Sequence, residues 1–491
     1  MKDAILTLDI GTTVAKAVLF DLQGSELAVH ETAIPLYTPQ PGWVEQDAEE
    51  IWQTVLKLMH KAFTDIQGQA NVVAVSLATQ GGSVVPVLPN GQAVNPLITW
   101  MDGRTQPLVR EWHENGMAEH IRSICGWTPQ PGLPLPSIAW LLRYKPHNFD
   151  LTVRWLSLND FLIHRLTGEF CTNPSMAGEM LLLEMGTGHY SDELCSIAGI
   201  RSQQLSPILP SASIVGFLKE DICRLLDLHR TIPLINGGQD HCCEALAVNM
   251  TEPNTGLLAC GTAWVINAVT DAPLVNAIPP QMNVNEHVIP DRWVVSQFLG
   301  AFGATMEWWV KQIWQNHTSR NNHNHMDRFA AINQALQTTE PGSKGLFFLP
   351  QPVGEGGSFL SMQLSQTCAD MTRAIMEGCA YEVKKALWYL SNSNLSVERL
   401  WMIGGASRSA WWRTILANVT GIQVLLSPYS HGPALGAAIL ACQALGIHST
   451  LRQSLEIFKV EEQVVRPVPD QVSRYQELYP TYVSYARRLA R

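Results

Sequence analysis

Thr231-Ile-Pro-Leu-Ile-Asn-Gly-Gly-Gln-Asp-His-Cys-Cys-Glu-Ala-Leu-Ala-Val248 stands almost at the midpoint of the chain. The apolar run Ile232 to Ile235 predicts a buried strand. Gly237-Gly238 breaks it, and Asp240 stands where a helix begins, with Leu246 and Val248 continuing the apolar face. One carboxylate is therefore expected at a strand-to-helix corner, behind two glycines that would let a ligand approach the backbone. Asp240 has two readings here: an N-cap, since Asp is a preferred cap, or a functional carboxylate.

Outward toward the N-terminus, Ala4 to Phe20 reads as two strands joined at Gly11-Thr12-Thr13, with Asp9 at the end of the first and a third strand from Glu26 to Ile34. A turn of Gly and Thr offers backbone N–H groups and hydroxyls, which phosphate oxygens need. It also suits an ordinary hairpin. The second half begins again with the same pattern, since Gly256 to Val269 is a strand, a Gly261-Thr262 turn and a strand, half a chain further on. This is the nearest approach to an internal repeat. Two similar lobes, each with a Gly-Thr hairpin, could grip one polyphosphate between them, and the mid-chain Gly-Gly-Gln-Asp favours that reading over two unrelated hairpins.

Between these landmarks, Ala48 to Phe63 predicts a helix buried along Ile51, Trp52, Val55, Leu58, Met59 and Ala62, with Asp47 as cap and Glu50 completing a capping box. Val72 to Ala78 predicts a strand ending in Thr79-Gln80-Gly81-Gly82, and Ser83 to Leu88 and Pro96 to Trp100 predict two more. Asp102 and Arg104 either pair with each other or face a polar ligand. Thr128 to Pro136 is proline-rich and predicts a loop. Gly303 opens a helix through Trp309. Asn316 to Met326 carries His317, His323 and His325, read as a solvated loop rather than a metal cluster, since no acid or cysteine supports one. A strand from Arg399 to Ile403, then Gly404-Gly405-Ala-Ser-Arg-Ser409 and a helix, makes a shelf for a base or a phosphate.

At 491 residues the chain exceeds one ordinary core, and two large domains are expected, 1–248 and 249–491, with a helical tail from about 450. Charged residues are 15% and apolar residues 46%, a globular balance. The net charge is −10, with no basic footprint, so nucleic acid is not an expected partner. The opening Met1-Lys2-Asp3-Ala4 does not read as a secretory leader. No apolar run approaches the roughly 20 residues that span a bilayer. Ten scattered cysteines without a CxxC pair argue against zinc and suit reduced, mostly buried thiols in the cytoplasm.

Taken together, these residues resemble the FGGY carbohydrate kinases, a family that includes glycerol kinase, xylulokinase and gluconokinase. The resemblance runs from Asp9 to about Leu445. It rests on Asp9-x-Gly11-Thr12-Thr13, Pro41-Gly-Trp-Val-Glu-Gln-Asp47, Trp100-x-Asp102-x-Arg104, the block Leu158 to Gly168, Gly237-Gly-Gln-Asp240, Gly261-Thr262, Asp370 to Glu377, Gly404-Gly405 and Ala434-Leu-Gly-Ala-Ala438. It implies an α/β fold of two actin-like, ribonuclease-H-like lobes with mixed sheets and the active site in the cleft between them. It implies ATP and Mg²⁺ as cofactors, a small carbohydrate as acceptor, and a homodimer, as in many relatives. By position, Asp240 matches the family's catalytic base, and Asp9 the position associated with magnesium. Gly11, Thr12, Thr13 and Lys16 match phosphate contacts of the first hairpin, and Gly261 and Thr262 those of the second. Gly303, Glu307, Gly404, Gly405 and Ser409 fall where the family contacts the nucleotide. Thr79, Gln80, Asp102, Asp240 and His241 are expected to read the sugar. The chain departs from the family at Thr79-Gln80, Gly132, Ser137 and the short Gly354-Glu-Gly-Gly357 loop, which leaves the sugar unassigned. Two alternatives stand beside a kinase: a catalytically silent sugar sensor and a different actin-like ATPase.

Overall fold

Lys2–Ile10 and Val14–Asp21 form the expected hairpin, and alternation along them sets everything that follows. Ala4, Leu6, Leu8 and Ile10 point into one core with Ala15, Ala17 and Leu19 of the second strand. Side chains alternate across a strand, so Asp9 and Lys16, which face each other in register, turn to the opposite side of the sheet. The structure is a computed structural model and describes residues 2–145, 149, 152, 154–314, 328–350, 356–459 and 461–489.

The chain folds into two units, one of Met1–Thr251, Thr270–Val294 and His431–Lys459, the other of Glu252–Val269, Val295–Ser430 and Val460–Arg491. The first contains a six-stranded mixed sheet in the order Ile214–Phe217, Pro233–Gln239, Ala70–Thr79, Lys2–Ile10, Val14–Asp21, Glu26–Ala33. Its three central strands are parallel, and the outer pairings are antiparallel. Helix Ala48–Asp65 covers one face with the predicted apolar stripe. Asp47 caps it, accepting from Glu49 N at 2.8 Å and Glu50 N at 3.3 Å. The expected capping box does not close, because Glu50 instead accepts the Tyr37 hydroxyl at 2.7 Å. On the other face lies Gly432–Ala444, a helix of small residues that packs on the central strands and on helix Asp240–Ala247. A Cβ on Gly436 would stand 1.9 Å from the Cys243 carbonyl oxygen, so only glycine permits this approach.

The second unit repeats the plan. Asn254–Cys260 and Trp264–Thr270 are antiparallel, and Val397–Ile403 and Gln423–Leu426 add in parallel. Helix Cys368–Asn392 starts on a capping box between Thr367 and Asp370, and its buried Arg373–Glu377 pair is held by the Tyr475 hydroxyl.

Three further expectations change. The predicted loop to Pro136 becomes helix from Pro134, since a proline in the first helical turn loses no hydrogen bond it could have made. The strands expected at Ser83–Leu88 and Pro96–Trp100 shrink to Val85–Val87 and Leu97–Ile98, each paired outside the main sheet. Gly237-Gly238 does not end its strand, which continues to Gln239 through a register shift. His317, His323, His325, Gly354 and Glu355 lie outside the described residues. Nine of the ten cysteines are buried, as expected, and Cys368 is half-buried.

Candidate active site

In the first unit the three parallel strands end level. Ile10 pairs with Thr79, and Thr79 with Gln239. The Gly11–Thr13 turn, the Gln80–Gly82 turn and the Asp240 corner therefore leave the sheet side by side. The carboxyl ends of parallel strands are where open α/β sheets bind their ligands.

Asp240 is the first residue of helix Asp240–Ala247, but it is not the N-cap. Gln239 takes that position, its side-chain oxygen accepting from Cys242 N at 2.9 Å. The capping alternative for Asp240 is thereby excluded. Oδ1 of Asp240 instead accepts from Gln239 Nε2 and from His241 N, both at 2.8 Å. The carboxylate is partly exposed, yet crowding by protein raises its pKa above the usual carboxylate range. The two glycines before it serve packing rather than a ligand. A Cβ on Gly237 would fall 1.7 Å from the Leu77 carbonyl oxygen, and one on Gly238 would fall 2.2 Å from a Val288 methyl.

Other carboxyl groups share this region. Burial pushes Asp9 up to about 7, Lys16 opposes the shift, and the Asp240 charge adds to it. Lys16 Nζ stands 3.9 Å from Asp9 Oδ2, beyond hydrogen-bond distance, and favours the carboxylate less than burial disfavours it. Glu179 and Glu244 are each pushed up to about 8, by burial first and by Asp240 next. Sequence reasoning singles out neither. Each is a lone acid inside an apolar run, in Met176 to Leu183 and Cys242 to Ala247, and that signal could have found them.

The remaining predicted residues hold the turns. The Thr12 hydroxyl donates to Gln80 Oε1 at 2.8 Å and accepts from Trp100 Nε1 at 3.0 Å. Gln80 Nε2 donates to Gln46 Oε1 at 2.8 Å, and Gln46 Nε2 donates to the Thr12 carbonyl at 2.8 Å. Thr13 is exposed at the tip. Thr79 is buried, its hydroxyl 3.6 Å from the Met176 sulfur. Asp102 and Arg104 take the pairing alternative. Asp102 accepts from Arg104 Nε and Nη2, both at 2.8 Å, and from Val44 N at 2.6 Å, while Trp43 stacks 3.9 Å from the guanidinium. His241 is half-buried, and its Nδ1 has no partner among the described residues. Gly132, where the resemblance places an aromatic in glycerol kinase, has φ of 84° and sits against backbone: an added Cβ would meet the Trp100 oxygen at 2.5 Å.

The second unit brings its glycines together. Ala259 pairs with Ile403, so the Gly261 turn and the Gly404 turn leave adjacent strand ends. A Cβ on Gly404, whose φ is 85°, would meet the Cys260 carbonyl at 2.8 Å, and one on Gly303 would meet the Gly261 oxygen at 2.0 Å. Ala304 N donates to the Thr262 carbonyl at 3.2 Å, tying this turn to the start of helix Phe302–Trp309. Gly261, Thr262, Gly404, Gly405 and Glu307 are exposed. Ser409 is half-buried and caps helix Ala410–Thr420. The result is an open floor of backbone with few side chains, the kind of surface a nucleotide can approach closely.

Residues 4–247 match the N-terminal domain of the FGGY family of carbohydrate kinases, and residues 256–445 match its C-terminal domain. The chain belongs to this family. It is 27% identical over 492 residues to a xylulose kinase of Escherichia coli (strain K12), covering 98% of this chain and 97% of that protein. It is 24% identical over 506 residues to a gluconokinase of Bacillus subtilis (strain 168), covering 100% and 96%. The fold matches the solved structure of ligand-bound xylulose kinase from Lactobacillus acidophilus with a TM-score of 0.90, at 24% identity, over 99% of this chain and 98% of that one. The architecture is thus the actin-like, ribonuclease-H-like one, and the protein is a carbohydrate kinase using ATP. No helix among the described residues is long and apolar enough to cross a membrane.

Proposed function

We propose that the chain transfers the γ-phosphoryl group of ATP to a hydroxyl of a small ketose, polyol or related sugar, with Asp240 accepting the hydroxyl proton. The observation that carries this reading is the state of Asp240: a partly exposed carboxylate at the level carboxyl ends of three parallel strands, relieved of capping by Gln239 and held through one oxygen. Its other oxygen takes neither of those bonds and suits a substrate hydroxyl. A base whose pKa lies above the ordinary carboxylate range is better matched to proton abstraction near neutral pH.

Phosphoryl transfer otherwise needs positioning and charge neutralisation. In this reading residues 1–248 carry the acceptor and the first phosphate turn, and residues 249–491 the nucleotide. Thr13, Lys16 and the Gly11 backbone contact phosphate, while Thr12 keeps the turn in shape through Gln80 and Trp100. Gly261, Thr262, Gly303, Glu307, Gly404, Gly405 and Ser409 form the nucleotide floor. His241 contacts sugar beside Asp240, and Thr79, Gln80 and Asp102 support the neighbouring turns from below.

Asp9 fits a magnesium ion. It is a buried carboxyl that Lys16 does not fully compensate, and Mg²⁺ commonly takes one protein carboxylate together with phosphates and water. When bound, the ion would neutralise charge on the phosphates. We also infer a cytoplasmic setting from the mostly buried cysteines, scattered without a CxxC pair, and a homodimer, which sedimentation would distinguish from a monomer. The activity itself is tested by ADP release over ketopentoses, polyols, aldonic acids and deoxy sugars. Sugar-dependent release on at least one is expected; none on any, with ATP bound, would point to a sensor instead.

A further inference from the structure

Glu179 ends the short helix Pro174–Glu179, which packs on the strand leading to Asp240. Its carboxyl lies on the Gly81–Gly82 turn: a Cβ on Gly81 would fall 1.3 Å from Oε2, and the Gly82 backbone hydrogen-bonds the side chain. A side chain at position 81 would therefore displace this carboxyl. Glu179 and the first turn of the Asp240 helix also act on each other electrostatically, through Asp240 and Cys242. Thus the turn after Thr79-Gln80, where the chain departs from its better-known relatives, carries an acid that reaches it from another element.

We propose that Glu179 is a sugar-contacting residue that donates a hydrogen bond to a hydroxyl of an uncharged polyhydroxy acceptor. The inference rests on the kinase reading and deepens it. Protonated Glu179 can donate to a neutral sugar hydroxyl and loses that bond on ionising, whereas an acid substrate would bring a second negative charge beside the Asp240 carboxylate. Burial and Asp240 push Glu179 up to about 8, so at pH 7 it is mainly protonated and donates a bond, and above pH 8 it becomes a second anion. Asp240 acts on it from the corner helix, the strands Asn283–Glu286 and Leu183–Glu184 packed on its own helix carry Glu286 and Glu184, and the Gly81–Gly82 turn supplies backbone only.

The test is steady-state kinetics with D-xylulose, xylitol, ribitol, glycerol and gluconate, on wild type, Glu179→Gln and Glu179→Ala, each first checked for folding by thermal melting. Wild type should use a neutral member with kcat/KM at least about 100-fold above gluconate. Glu179→Ala should raise KM for that sugar by about tenfold and leave KM for ATP alone, the loss of one hydrogen bond from a buried site. Glu179→Gln, which keeps donor and acceptor, should hold KM near wild type at pH 7 and abolish the rise in sugar KM that wild type has above pH 8. Glu244 titrates in the same window, so an unchanged rise in Glu179→Gln would assign it there and overturn the proposal. Gluconate used as well as the neutral sugar, or an unaltered sugar KM in Glu179→Ala, would also overturn it while leaving the kinase reading intact. No turnover of any compound would overturn both.

Discussion

The side-chain nitrogen of Gln239 donates to Oδ1 of Asp240 at 2.8 Å while its oxygen accepts from Cys242 N at 2.9 Å. One amide thus caps the helix and orients the carboxylate that opens it. Gln239 is itself pinned, since its backbone N–H donates to the Ser175 hydroxyl at 3.0 Å and its side chain is nearly buried. Gln239→Ala should therefore have a double effect. Losing a helix cap costs about 0.5–2 kcal/mol, read as a lower melting temperature, and loss of the Asp240 contact lowers kcat more than it raises either KM. A variant with unchanged kcat would detach the two roles.

Asp9 gives a pH-dependent prediction. The folded protein holds this proton to about pH 7, whereas an ordinary Asp releases it near 3.8. Between those values the folded state binds more protons than the unfolded one, so stability falls as pH rises, and above pH 7 the full cost is present. Asp9→Asn removes it. In the absence of metal and nucleotide the variant should be more stable than wild type at pH 8, by on the order of 2–4 kcal/mol. The gain should vanish below about pH 4, and catalysis should be lost. Denaturant titrations at pH 4 and pH 8 check this; equal stability at both would contradict it.

The glycines of the second unit separate structural from functional roles. Gly404→Ala forces a positive φ and a backbone collision, so it should destabilise by roughly 1–3 kcal/mol or more. Gly405 has nothing within 4 Å of an added Cβ. Gly405→Ala should leave the melting temperature unchanged and, on the proposed role of this turn as nucleotide floor, raise KM for ATP, because the methyl would stand on its exposed surface. Unaltered ATP affinity in Gly405→Ala would remove that residue from the floor.

Much of this is legible in the sequence. Alternation in Ala4 to Phe20 gives both the hairpin and the placement of Asp9 and Lys16 on one face, because strand side chains alternate regardless of context. The apolar stripe of Ala48–Asp65 is complete apart from Ala48, since a helix period leaves little choice of face. Contacts over long sequence separations are not legible. Gln80 to Thr12, Glu179 to Gly81 and the return of Gly432–Ala444 to the first unit all depend on register and topology. The N-cap alternative for Asp240 arises because Gln is not a preferred cap, and only the bond to Cys242 N reveals that Gln239 takes the position. The glycines before it read as room for a ligand, yet the neighbouring strand and Val288 fill that room.

In the proposed mechanism Asp240 takes the proton from the sugar hydroxyl. The direct measurement is single-turnover phosphoryl transfer by Asp240→Asn, with nucleotide binding followed separately by calorimetry. The amide preserves size and the Gln239 environment but cannot accept a proton. Asp240→Asn should bind ATP with unchanged affinity and transfer phosphoryl roughly 10²–10⁴-fold more slowly. Transfer at the wild-type rate, with ATP bound as tightly, would contradict it.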